Sequence, residues 1–82
     1  MQELELYGTS ACHLCEQAEA LLAELLVTEL TWRIELIDIA DDDDMLERYA
    51  VKIPILKDAV DGRELTWPFD VHSVKNFVVQ GR

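Results

Sequence analysis

The sequence predicts a single α/β domain, residues 1–82, with elements in the order β-α-β-α-β-β-α. Three observations predict it. An alternating apolar/polar run, a long amphipathic run and a second alternating run follow one another. That is the pattern of two parallel strands joined by a right-handed helical crossover. Two short apolar runs flank Asp61-Gly62, the pattern of a hairpin. The chain has 82 residues, 50% of them hydrophobic, which allows one compact core with little surplus.

Residues 3–7 read as the first strand, with Leu4 and Leu6 on one face and Glu3, Glu5 and Tyr7 on the other. Gly8 is expected to permit a sharp or left-handed turn. Thr9 or Ser10 can cap the helix that follows, which runs to about Val27. Leu14, Ala18, Leu21, Leu22, Leu25 and Leu26 are expected to form its buried stripe. Thr31 to Ile39 reads as the second strand. If it lies beside the first, Arg33 shares a face with Glu5.

Asp41-Asp42-Asp43-Asp44 has two readings. Four carboxylates can bind a divalent cation, but no glycine or glutamate stands at calcium-loop spacing. The simpler reading is a helix start, with Asp41 as cap and the next acids against the positive helix end. That helix is short, ending at Tyr49, with Met45, Leu46 and Tyr49 inward. Pro54 lacks an amide hydrogen, so it should begin a strand rather than interrupt one. Ile55 to Lys57 is that strand, Asp58 to Gly62 the turn and Arg63 to Trp67 the return. Asp70 is placed to cap the last helix, with Phe69 and Val74 spaced as a hydrophobic staple. That helix buries Val71, Val74, Phe77 and Val78, and Gly81 is expected to end the ordered chain.

The formal net charge is −10. Nucleic acid is excluded as a partner, because phosphate binding needs clustered Lys and Arg. Anionic membrane surfaces are disfavoured for the same reason, and no apolar run of about 18 residues exists to span a bilayer. A basic or neutral protein would be steered in more readily, although acidic charge also serves solubility alone. The acidic start, Met1-Gln2-Glu3-Leu4-Glu5, does not resemble a signal peptide, so the cytoplasm is the expected compartment. Cytosolic disulfides are usually transient and catalytic.

Both cysteines stand in Cys12-His13-Leu14-Cys15, where the first strand turns into the first helix. Unpaired amides and a partial positive charge at a helix start stabilise an anion such as a thiolate. Positions i and i+3 share a helix face, so the two sulfurs can meet. A strand, a tight turn and a helix-opening CxxC together indicate a dithiol that cycles through a disulfide.

The CxxC, the Ile53-Pro54 pair before a strand and Trp67-Pro68-Phe69-Asp70 before the last helix resemble the small bacterial glutaredoxin-like proteins of the thioredoxin superfamily. The resemblance covers essentially the whole chain. It implies a thioredoxin-like three-layer fold with a mixed four-stranded sheet and helices on both sides. It also implies a cis peptide at Ile53–Pro54, with the Ile53 backbone exposed to pair with substrate. Cys12 is then the nucleophile and Cys15 the resolving thiol of a thiol-disulfide oxidoreductase. Physical reasoning agrees, since Cys12 is nearer the helix start and Cys15 lies one turn deeper. His13, when protonated, can stabilise the neighbouring thiolate; the alternative is an exposed loop residue. Glu16 and the acidity of the domain oppose thiolate formation.

The sequence departs from glutaredoxins in two places. Many of them carry a basic residue shortly before the CxxC that contacts a glutathione carboxylate, whereas Gly8-Thr9-Ser10-Ala11 stands here. Their glycine pair before the last helix is replaced by Trp67 and Phe69, which pack in the core or wall the cleft; Asp70 matches their acidic residue as a substrate contact. No resident cofactor is expected, and glutathione is a candidate reductant or substrate. The expected partner is a disulfide-bearing protein or a low-molecular-weight thiol, met by a monomer. Two rivals remain: a metal module, CxxC being half of a zinc site, with His13, His72 or carboxylates completing it; and a non-catalytic adaptor on the same fold. No native metal is expected, because His13 points off the cysteine face and His72 lies on the surface of the last helix.

Overall fold

Strand β1 (Gln2–Gly8) is an inner strand of a four-stranded sheet in a computed structural model that describes residues 2–80. Gly81 lies outside those residues. Helix α1 (His13–Thr28) carries the chain to β2 (Trp32–Asp38), which pairs parallel to β1. A 3-10 turn (Ile39–Asp41) and helix α2 (Asp43–Tyr49) lead to β3 (Ile55–Asp58), antiparallel to β1 on its other side. β4 (Glu64–Thr66) pairs antiparallel to β3, and α3 (Val71–Gln80) closes the order. The strand order is β2-β1-β3-β4, a mixed sheet with the predicted element sequence.

Alternation along the strands divides the core in two. Leu4, Leu6 and Leu56 point to one face, where they meet Ala18, Leu22 and Leu25 of α1 and Val74, Phe77 and Val78 of α3. Tyr7 and Ile55 point to the other, where they meet Ile39 and the half-buried Met45 and Tyr49 of α2. This makes three layers. Each fully buried Leu or Phe on the larger face stabilises the fold by roughly 1.5–3 kcal/mol. Helix α2 has seven residues and buries none fully, so it depends on docking rather than on intrinsic helicity. Leu46, and Leu14 in the first turn of α1, face solvent rather than inward. Phe69 belongs to the larger core, and Trp67 packs on it edge to face at 5.0 Å.

Several local expectations are corrected. The chain makes its 3-10 turn over residues 39–41, so the α2 cap moves one residue on. Asp42, not Asp41, accepts the amides of Asp44 at 2.9 Å and Met45 at 3.4 Å. Asp38 caps the 3-10 turn through the Ala40 amide. Arg33 does share a face with Glu5, as expected; register sets it opposite Glu3, with their charged groups 3.8 Å apart, and sets Glu5 opposite Glu35. Asp58 ends β3 rather than opening the turn, and it is buried. It accepts Gln2 Nε2 at 2.8 Å and the Val60 and Asp61 amides at 2.8 and 3.3 Å, and the Arg63 guanidinium lies 3.6 Å away. That guanidinium also covers the Phe77 ring at 4.5 Å.

Candidate functional site

Pairing gathers four loops at one end of the sheet. Gly8 is in register with Asp38, Tyr7 with Ile55, and Ile55 with Thr66. The Thr9–Cys12 loop, the turn after Asp38, the Ile53-Pro54 pair and residues 67–70 therefore all leave from that end. It is the carboxyl end of both parallel strands, the usual ligand side of an open α/β sheet.

Cys12 and Cys15 are joined there as a disulfide, with Cα atoms 5.2 Å apart. Cys12 occupies the N-cap of α1 in extended backbone geometry (φ −103°, ψ 110°). The cap is therefore a sulfur, not Thr9 or Ser10: Cys12 Sγ accepts the Cys15 amide at 3.1 Å. The Cys12 carbonyl accepts the Glu16 amide at 3.2 Å, the first helical turn. Cys12 is half-buried, whereas Cys15 is only 1% exposed. One sulfur can meet a partner in solution and the other sits beneath it.

Gly8 explains how the second sulfur fits. A methyl group at this position would lie 2.9 Å from Cys15 Sγ and 3.1 Å from Cys15 Cβ, closer than packed atoms tolerate. Its φ is not positive; among the described glycines only Gly62 has that conformation, at 80°. Glycine is thus required at position 8 by the close approach of a side chain and not by a left-handed turn. A glycine ending a strand is the sequence signal that points to such contact.

The other expected site residues are placed as follows. His13 is 81% exposed at its side chain, and its Nδ1 lies 3.5 Å from Glu16 Oε2, so the imidazole faces a carboxylate on the outside of the helix. The Ile53–Pro54 peptide is cis, Pro54 is buried, and the Ile53 amide donates to the Tyr49 carbonyl at 3.1 Å. The Trp67–Pro68 peptide is also cis, which sequence reasoning missed; no local signal marks it, since most X–Pro bonds are trans. Asp70 caps α3, accepting the Ser73 amide at 2.8 Å and the Ser73 hydroxyl at 2.9 Å. Those bonds, the backbone one foremost, hold its carboxyl below the usual value. Tyr7, next to Gly8, donates its hydroxyl to Glu5 at 3.1 Å and stacks edge to face on Tyr49. Burial, reinforced by that carboxylate, pushes its phenol up to about 12.

Among the described residues no group of three or more His, Cys, Asp or Glu side chains is disposed to hold a metal ion. No helix among them is long and apolar enough to cross a membrane.

Comparison with known proteins follows the same lines. A family model described as "Glutaredoxin-like domain (DUF836)" matches residues 3–79. The crystal structure of the structural genomics target protein XcR50 from X. campestris is 34% identical over 94% of this chain and 96% of that one, with a TM-score of 0.75. Its solution structure gives 34% identity over 98% and 95%, with a TM-score of 0.73. The solution structure of protein Ne2328 from Nitrosomonas europaea is 26% identical over 94% of this chain and 91% of that one, with a TM-score of 0.75. No curated protein matches the chain.

Proposed function

The chain belongs to the glutaredoxin-like domain family, and from that premise we propose that it is a thiol-disulfide oxidoreductase acting on disulfides of polypeptides. One observation carries the reading: a half-exposed sulfur caps a helix and takes an amide hydrogen at 3.1 Å, with its redox partner buried one turn below. In the reduced protein the same amide favours the Cys12 thiolate over the thiol.

The Cys12 thiolate attacks one sulfur of the substrate disulfide. A Cys12–substrate bond forms, the substrate S–S bond breaks, and the departing sulfur leaves as a thiolate. Cys15 then gives up its proton and attacks Cys12 Sγ. The internal disulfide forms and the second substrate sulfur leaves. Two electrons pass from the dithiol to the substrate, and an external dithiol or two low-molecular-weight thiols, glutathione among them, restore the starting state. The cis-Pro54 loop would align a bound chain through the Ile53 carbonyl, because the Ile53 amide is already donated to Tyr49. Asp70 would act on substrate only through the charge it adds to the rim, its oxygen being held by Ser73. His13 would lend the thiolate little, since Glu16 competes for its charge. Glutathione is the weaker substrate, because no cation stands in Gly8-Thr9-Ser10-Ala11 to receive a carboxylate. The reaction suits a monomer in the reducing cytoplasm.

Trapping tests the reading. Cys15→Ser in cell extract should accumulate mixed disulfides on Cys12, and Cys12→Ser should lose disulfide reduction altogether. Reduction that persists in Cys12→Ser would overturn the assignment.

A further inference from the structure

Strand β2 is one of the sheet's two edge strands and has β1 as its neighbour on one side only. Its Leu36 points to the α1 face yet is 60% exposed. Beside it, Ile34 and the α1 residues Leu22, Ala23 and Leu26 line a hollow of about 250 Å³. A second hollow, of about 180 Å³, is lined by Gly8, Thr9, Ser10, Ile37 and Asp38, so it reaches the loop that carries the disulfide. Glu19 and Leu36 border both, which makes one groove running from that loop along the seam between α1 and β2. Each hollow is smaller than the roughly 300–1,000 Å³ of a small-molecule pocket. The groove has room for side chains of an extended chain, spaced along a strand edge, rather than for one compact ligand.

Its charge selects the occupant. Glu19 and Asp38 line the groove, and Glu16 stands one helical turn nearer the disulfide. Arg33, the basic residue of β2, points to the opposite sheet face and meets Glu3. A second copy of this chain would bring another −10 charge against these carboxylates. Building on the oxidoreductase reading, we propose that the groove docks an extended segment of the disulfide-bearing substrate polypeptide in which every second residue, the set facing α1, is by turns apolar and basic. The segment adds along the open edge of β2, its apolar side chains filling the hollows and its cations meeting Glu19 and Asp38, while its disulfide reaches Cys12.

Single-turnover reduction by the pre-reduced protein tests this. Three disulfides are compared, each a mercaptoethanol disulfide: a Lys/Val peptide that repeats Val-Ser-Lys-Ser, so that Val and Lys share a strand face, and ends in cysteine; its Glu/Val counterpart; and mercaptoethanol itself. The Lys/Val peptide should react fastest, with an advantage that shrinks as salt rises. Leu36→Lys and Glu19→Lys, both at exposed positions, should each slow it about tenfold, equivalent to ~1.4 kcal/mol, and leave mercaptoethanol disulfide unchanged. Glu19→Lys should also speed the Glu/Val peptide. Equal rates for the two peptides, or variants that slow all three disulfides alike, would overturn the proposal. Failure of the wild-type protein to reduce any of the three would overturn the oxidoreductase reading instead. The groove is then read separately: a Lys/Val peptide ending in serine should shift the amide resonances of residues 34–36, and unshifted resonances would refute docking there.

Discussion

Replacing Gly8 by alanine tests the seat of the buried sulfur directly. The added methyl would stand 2.9 Å from Cys15 Sγ and 3.1 Å from Cys15 Cβ. Neither neighbour can retreat easily, because Cys15 is in the first turn of α1 and Gly8 is held in register with Asp38. Overpacking of this kind costs about 1–3 kcal/mol, offset by the roughly 0.5–1 kcal/mol that removing a strand glycine returns. The net loss of about 0.5–2 kcal/mol should lower Tm by roughly 2–16 °C in a domain this size. The loss should differ between redox states. In the dithiol, Cys15 can rotate its sulfur aside, whereas in the disulfide Cys12 holds it. An unequal penalty on the order of 1 kcal/mol would move the dithiol/disulfide equilibrium about fivefold toward the dithiol. Urea unfolding of both forms, with equilibration against a thiol buffer, measures each quantity. A Gly8→Ala protein with unchanged midpoints and unchanged redox equilibrium would refute the steric argument.

Asp58→Ala should destabilise the protein on the order of 3 kcal/mol, seen by urea unfolding, since it strips the acceptor from two turn amides and leaves the Arg63 guanidinium without its buried counter-charge. Asp70 ionises more readily folded than at its ordinary 3.8, so its contribution is present above that value and is lost as pH falls through the lower folded value. Asp70→Asn should therefore flatten the acid limb of a Tm-against-pH curve. Tyr7 runs the opposite way: its phenol is raised from 10.0 to about 12, so its contribution is complete below pH 10.0 and is lost as pH rises toward 12. Tyr7→Phe should remove that alkaline loss, and ultraviolet titration of the wild type should show both tyrosines ionising late, Tyr49 being raised too by its hydrogen bond to Glu64.

The element order was legible because each segment carries its own period. Leu4 and Leu6 alternate, Ala18, Leu22 and Leu25 recur at helical spacing, and Asp61-Gly62 turns the hairpin; those residues do form the core and the turn. What stayed hidden depends on distant contacts. Leu36 alternates in phase with Trp32 and Ile34, yet on the edge strand β2 it is left 60% exposed. Alternation correctly put Arg33 on the face of Glu5, but only register names Glu3 as its partner. Asp58 looked like a turn residue until Gln2 and Arg63, 56 and 5 positions away, supplied its surroundings. Within the site, the CxxC and its place at a helix start were readable from spacing. The burial of Cys15 against Gly8 was not, because it joins a strand end to a helix turn that the sequence separates.

Strand β1 runs toward the cysteine loop and helix α3 runs away from it, which matters to anyone handling the protein. β1 travels about 20 Å from Gln2 before it delivers the chain to the cysteine loop, and α3 leaves that same region to finish about 15 Å away. Both described extremities thus face the pole remote from the sulfurs. A surface tether or a fused reporter attached at either extremity would leave the reactive pole pointing outward, so the protein can be immobilised by whichever end is convenient without masking its chemistry.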